Sequence, residues 1–148
     1  DEPTTALDVG IQAKVLFLLR QLNQEHRLPI LLITHDFGVV RAIAHRVVVM
    51  YAGHVQEEGD VEEVLASPQH PYTQALIRSV PDNVRDDESL YQIPGTPPNL
   101  VDPPKGCRFA DRCDHVVDRC RNELPELETL SETRAVRCHL VGPEKGDA

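Results

Sequence analysis

Three things this chain lacks narrow its reading before any residue is singled out. No apolar run approaches the ~20 residues that a helical membrane span needs, so a soluble or peripheral chain is expected. No Lys/Arg-rich face offsets the acids: the formal net charge is −9. That balance argues against nucleic acid as a partner, because phosphate binding needs concentrated positive charge. No Gly-Lys dipeptide occurs, so a phosphate-cradling loop ending in Gly-Lys-Ser/Thr is absent. No secretory-type leader is visible, but the chain opens inside a motif, so its first residues are silent about targeting. With 148 residues, 41% of them hydrophobic, it is sized for one modest core plus an appendage.

What is present is concentrated at the start, in Asp1-Glu2-Pro3-Thr4-Thr5-Ala6-Leu7-Asp8. Pro3 forbids an immediate helix, and Asp8 is a good N-cap for the amphipathic stretch behind it. There Ile11, Val15, Leu18, Leu19 and Leu22 repeat at helical spacing. Pro29-Ile30-Leu31-Leu32-Ile33 then reads as a strand buried on both faces. Helix followed by strand implies half of a βαβ unit, with an earlier strand ending at Asp1-Glu2. Ligands of parallel sheets sit at the carboxyl ends of strands, which places Asp1, Glu2 and His35 on one edge. Taken singly, Glu2 is a solvated acid, His35 an ordinary loop histidine and Asp8 a plain helix cap.

The ordered set says more. Asp1-Glu2, Thr5-Ala6-Leu7-Asp8 and Ile33-Thr34-His35-Asp36 together resemble the Walker B end, D-loop and switch-histidine segment of the ATP-binding subunit of ABC transporters. The resemblance implies roles. Asp1 serves Mg²⁺ beside ATP, and Glu2 orients and deprotonates the attacking water. His35 bonds the γ-phosphate, and Asp8 reaches a partner ATPase domain. It also implies the later part of such a domain, without the P-loop or signature loop, so this polypeptide alone is expected not to hydrolyse ATP.

Downstream, Phe37 to His45 reads as a helix with Phe37, Val40, Ile43 and Ala44 inward. Val47–Met50 and 54–58 form a hairpin around Ala52-Gly53, and Asp60 caps a helix over 61–66. His54 reads as a surface strand residue. In His-Pro-Tyr-Thr, Pro71 suits a first helical position, and the helix behind it reads as docking on the ATPase core. The wording resembles the peptide-transporter branch of the family. Eight of the twelve prolines fall in 81–148, which sets a boundary near residue 81. An acidic linker follows at 82–88, then a proline-rich connector at 93–106, for which an SH3-type ligand is the other reading.

All four cysteines lie in this tail, as C-x5-C-x6-C-x17-C at Cys107, Cys113, Cys120 and Cys138. Few large apolar residues surround them, so a staple is expected: disulfides, zinc or an iron–sulfur cluster. A cytoplasmic ATPase argues against disulfides. The usual C-x2–4-C zinc pairs and the ferredoxin run are both missing, so spacing leaves the metal open. Ile93-Pro94-Gly95, Pro97-Pro98, Gly106-Cys107-Arg108-Phe109 and Arg112-Cys113 resemble the C-terminal extension of oligopeptide and dipeptide ABC ATPases. That resemblance implies a [4Fe–4S] cluster on the four cysteines, with zinc as the alternative. Arg108, Arg112, Arg119 and Arg121 offer charge to offset it; Asp111, Asp114 and Asp118 among them make a neutral solvated face equally consistent. His139 reads as a neighbour of the site or a surface residue.

The fold expected is therefore α/β: the C-terminal part of a P-loop ABC ATPase domain, with parallel strands and crossover helices, over 1–80. An irregular Cys-rich extension follows over 81–148. The implied function is ATP hydrolysis energising dipeptide or oligopeptide import, from the cytoplasmic face of a prokaryotic cell membrane. Its partners are permease subunits, a second ABC ATPase and, indirectly, a solute-binding protein. Import of nickel or another small solute is the alternative within the family. A repair-type soluble ATPase and a metal-dependent interaction module are the other classes.

Overall fold

The computed structural model describes residues 1–80 and 91–142. The boundary expected near 81 and the acidic linker at 82–88 lie outside the described residues. The chain divides into two compact units, Asp1–His45 and Arg46–Ala148.

In the first unit, two tight turns lead into α1 (Val9–His26), and α2 (Phe37–Ile43) follows an extended segment. Asp8 caps α1 as expected, accepting from the Ile11 N–H at 3.0 Å. The strand expected at Pro29–Ile33 is not formed, nor is one ending at Asp1-Glu2. Leu31 is 88% exposed, so the run is not buried on both faces. A strand is defined by its ladder, and the Glu2 N–H to Ile33 carbonyl bond (2.8 Å) is a single rung. For the same reason of missing cover, α1 has no buried residue, and Ile11, Leu18 and Leu22 stand exposed on its apolar stripe. In α2 the buried residue is Val39, not the expected stripe of Phe37, Val40 and Ile43.

The second unit is built on an antiparallel sheet, ordered β1-β2-β4-β3, from β1 (Arg46–Tyr51), β2 (His54–Asp60), β3 (Glu128–Thr129) and β4 (Ala135–Val136). The fold is thus α/β with an antiparallel sheet; the parallel strands expected from the sequence are not present among the described residues. The β1–β2 hairpin turns at Ala52 and Gly53, with φ of 50° and 81°. Two consecutive positive φ values are what a two-residue hairpin of native twist demands. A bulge between Val49 and Met50 is braced by buried Gln56, whose amide donates to the Tyr51 and His54 carbonyls. α3 (Val61–Ala66) and α4 (Pro71–Arg78) then pack back on β2, and α5 (Asp118–Asn122) lies in the tail.

The tail is largely irregular, as expected, and it also joins the sheet. β4 pairs with β2, setting Glu57 opposite Val136 and Glu58 opposite Ala135. Phe109 is 2% exposed and completes an aromatic cluster with Tyr51 and Tyr72, ring centroids 5.4 Å and 5.3 Å away. So α4 docks on the hairpin and on the cysteine segment together. Pro71 takes the first helical position, as read from the sequence, and His70 is the cap: its Nδ1 accepts from the Tyr72 N–H at 2.9 Å. Beneath them a fully buried Glu57 carboxylate meets Arg134 at 2.6 Å and accepts from the Gln69 and His70 N–H groups at 2.9 and 3.0 Å.

His70 makes this unit acid-sensitive. Burial, chiefly, holds its pKa down to about 4, against a weaker opposing pull from Glu57 and the Arg137 backbone. A histidine neutral when folded but titrating near 6.5 when unfolded stabilises fully above pH 6.5 and loses that contribution as pH falls to about 4. The difference amounts to roughly 3 kcal/mol. Urea unfolding at pH 7 and at pH 4.5 is expected to show most of this loss for the native sequence. His70→Asn, which keeps a capping side chain without the titration, should show much less; equal losses would clear His70 of the effect.

Candidate functional site

The first unit brings Glu2 and His35 together from opposite ends. Pro3 occupies the second position of a turn closed by the Thr5 N–H on the Glu2 carbonyl (3.3 Å), and Leu7 closes a second turn on Thr4 (3.2 Å). Glu2 is thereby held at φ 46°, a left-handed conformation uncommon for any residue but glycine, asparagine or aspartate. Its Oε1 stands 2.8 Å from His35 Nδ1, and its Oε2 accepts from the Thr5 hydroxyl. The Thr5 hydroxyl first, and then the His35 ring, hold the Glu2 carboxyl below its ordinary pKa; the carboxylate in turn raises that of His35. Both groups are solvent-accessible.

Asp36, read from sequence only as part of a motif, does two jobs. Its Oδ1 caps α2 through the Gly38 and Val39 N–H groups (2.7 and 3.3 Å), while Oδ2 accepts from Gln12 on α1 at 3.2 Å. This fastens the helix after Asp8 to the segment after His35. Asp1 and Asp8 are exposed at the same turn-rich end. Sequence reasoning missed Thr5, although a hydroxyl three residues after an acid, with proline between, is the pattern that folds back on it.

In the second unit the four cysteines are unpaired, Cys120 and Cys138 buried and Cys107 and Cys113 half-buried. The Cys107 N–H donates to the Cys120 carbonyl at 2.7 Å. That approach needs Gly106, where any Cβ would run into the Cys120 and Arg121 backbone. Burial, and then the neighbouring thiols, push Cys107 up to about 11; Cys113 and Cys138 are raised for the same reasons. The donor chemistry suits a thiolate-held metal, and Cys138 Sγ already accepts from the Leu140 N–H at 3.5 Å. The spacing does not form a ready cage: among the described residues no three His, Cys, Asp or Glu side chains are grouped to hold an ion.

The arginines expected to offset a cluster are engaged elsewhere. Arg108 donates to the Ala52 carbonyl, Arg112 to the Pro94 and Ile93 carbonyls and the Tyr51 hydroxyl, Arg119 pairs with Glu123, and Arg121 with Asp111. His139 is buried, its Nε2 2.9 Å from the Glu123 carbonyl. His54 is half-buried rather than a plain surface residue, and burial lowers its pKa, followed by Arg108 and Arg137.

Comparison with known proteins bears on the chain as a whole. Residues 56–120 match the family model described as oligopeptide/dipeptide transporter, C-terminal region. The dipeptide transport ATP-binding protein DppD of Escherichia coli (strain K12) is 48% identical over 146 residues, 99% of this chain and 45% of that protein. The oligopeptide transport ATP-binding protein AppD of Bacillus subtilis (strain 168) is 47% identical over 144 residues, 97% of this chain and 44% of that protein. DppD of Haemophilus influenzae is 42% identical over 147 residues, again 99% and 44%. The chain spans less than half the length of the curated relatives it matches. With identity running along almost all of its residues, the chain is similar to the later part of ATP-binding proteins of oligopeptide and dipeptide transport, and its residues 56–120 match the C-terminal region described for such transporters.

Proposed function

We propose that this chain works within an ATP-hydrolysing subunit that energises uptake of dipeptides or oligopeptides through a membrane permease. The observation that carries the reading is the Glu2–His35 pair at 2.8 Å, held in an accessible, strained turn. The names of its relatives, dipeptide and oligopeptide transport ATP-binding proteins, supply the solute class. In this reading residues 1–80 belong to the nucleotide-binding domain and 81–148 to its extension.

Glu2 would take a proton from the attacking water and fix its line of approach, work typically contributing roughly 10²–10⁴ in rate. His35, with Nδ1 on Glu2, has its other ring nitrogen to offer the γ-phosphate. Asp1 would hold Mg²⁺, whose charge offsets that of the phosphates. Asp8, already spent as a helix cap, would present its second oxygen to a partner ATPase subunit. No helix among the described residues is long and apolar enough to cross a membrane. Attachment to the cytoplasmic face would therefore come through permease subunits, with a solute-binding protein as an indirect partner. The test is His35→Ala in the full-length subunit. ATP should still bind while steady-state hydrolysis collapses; hydrolysis at a near-normal rate would overturn the reading.

The cysteine segment enters as a site for a [4Fe–4S] cluster on Cys107, Cys113, Cys120 and Cys138, with zinc as the alternative. Its support is four unpaired thiols, with Cys107, Cys113 and Cys138 raised in pKa by burial and then by neighbouring thiols, in a segment where a backbone N–H faces sulfur. Binding would draw the thiols inward and contribute to the tail's folding. Anaerobically prepared full-length subunit is expected to be brown, with about four irons per chain. Stoichiometric zinc without iron would replace the cluster, and absence of both metals would discard the centre.

A further inference from the structure

Resting on the reading of Glu2 as the group that activates water, we infer that Thr5 is a positioning residue for the Glu2 carboxylate. The terminal torsion of a glutamate is soft, so one contact leaves the carboxylate plane free to rotate about it. Here each oxygen has its own partner. Oε1 faces His35 Nδ1 at 2.8 Å, and Oε2 receives the Thr5 hydroxyl. Two contacts on two oxygens fix the plane, and with it the direction of the remaining lone pairs that would meet a water.

Thr5 is suited to this beyond its hydroxyl. A β-branched side chain is stiff at χ1, so the donor holds its place without help from packing. Its own backbone N–H is bonded to the Glu2 carbonyl at 3.3 Å, so donor and acceptor belong to one closed turn. The Glu2 N–H is tied to the Ile33 carbonyl at 2.8 Å, next to the segment that bears His35. A residue at φ 46° persists only where its surroundings over-determine it, and Glu2 has four such ties, two of them from Thr5. Thr5 therefore acts through Glu2 and needs no contact with nucleotide.

The experiment compares Thr5→Val, Thr5→Ser, Glu2→Gln and the Thr5→Val/Glu2→Gln pair in the full-length subunit assembled with its transporter. Steady-state ATP hydrolysis and equilibrium ATP binding are read for each. Thr5→Val, which keeps shape and loses the hydroxyl, should lower kcat by roughly tenfold or more, because misplacing a catalytic group by a fraction of an ångström is costly. KM and ATP affinity should stay within about twofold, since the interaction lost matters only in the transition state. Thr5→Ser should recover most of the rate. Adding Thr5→Val to Glu2→Gln should change the residual rate no further. Native kcat for Thr5→Val beside an inactive Glu2→Gln would overturn the inference and leave the Glu2 reading standing. So would Thr5→Ser falling as far as Thr5→Val, which would mark a folding role. A Glu2→Gln subunit that hydrolyses ATP normally would bring down the Glu2 reading, and this inference with it.

Discussion

Glu2→Gln in the full-length subunit is expected to leave ATP binding nearly intact and to cut hydrolysis by roughly 10²–10⁴. The substitution keeps the side chain's length and one carbonyl oxygen, so the Thr5 hydroxyl still has an acceptor in reach. It removes the charge and the ability to accept a proton, which matter only once water begins to attack. On the proposed reading of Glu2 as the base, ground-state affinity therefore survives while the transition state loses that base. On the proposed pairing with a second ATPase subunit, nucleotide-bound dimers should accumulate, because the hydrolysis that would dissolve them no longer occurs. Single-turnover hydrolysis beside equilibrium nucleotide binding separates the two quantities. Near-normal turnover would show that another group activates the water.

Arg134→Met should have the largest effect on stability, about 3–5 kcal/mol. Arg134 and Glu57 have side chains 5% and 0% exposed, 2.6 Å apart. Arg134 also donates to the Ser67 carbonyl and to Glu63, the latter at 3.3 Å. Without the guanidinium, a carboxylate already out of water keeps two backbone N–H donors and loses its counter-charge. The cost is that of stranding Glu57 more than of losing the bond. Adding Glu57→Gln should therefore return a large part of it, because a neutral amide can still accept from those N–H groups. Arg119→Ala, which breaks the exposed i,i+4 pair with Glu123, should shift stability by about 0.5 kcal/mol or less. Urea unfolding and protease sensitivity of residues 93–140 would read all three. A loss for Arg134→Met as small as for Arg119→Ala would refute this account of the core.

Local signals in the sequence carried well. Asp8 as a cap, Pro71 at a helix start and the Ala52-Gly53 turn each depend on a few neighbouring residues, and each stands where it was read. Pairing of distant segments carried poorly. Pro29–Ile33 has the composition of a buried strand, but composition cannot supply the neighbours that make one. β3 and β4 were invisible because two-residue strands leave no alternation to detect. The tail's own apolar residues are few, which reads as the need for a staple of disulfides, zinc or a cluster. Phe109 and Arg134 order it by borrowing the hairpin's core, which no count over residues 81–148 alone would reveal. At the candidate site, motif order pointed to Glu2 and His35, while the Thr5 tether is a matter of turn geometry.

The bond between Arg134 and Glu57 spans 77 positions of sequence, which has a consequence for the order of folding. Closing so long a loop before its contacts can form slows the approach to the native state. At roughly 5–20 residues per second, several seconds of synthesis separate the arrival of Glu57 from that of Arg134. During that interval the hairpin and α4 must wait with an unmatched acid at their centre and an open sheet edge on β2. A nascent chain stalled before Arg134 would be a target for chaperones and proteases even with its hairpin, helices and three of its four cysteines already made.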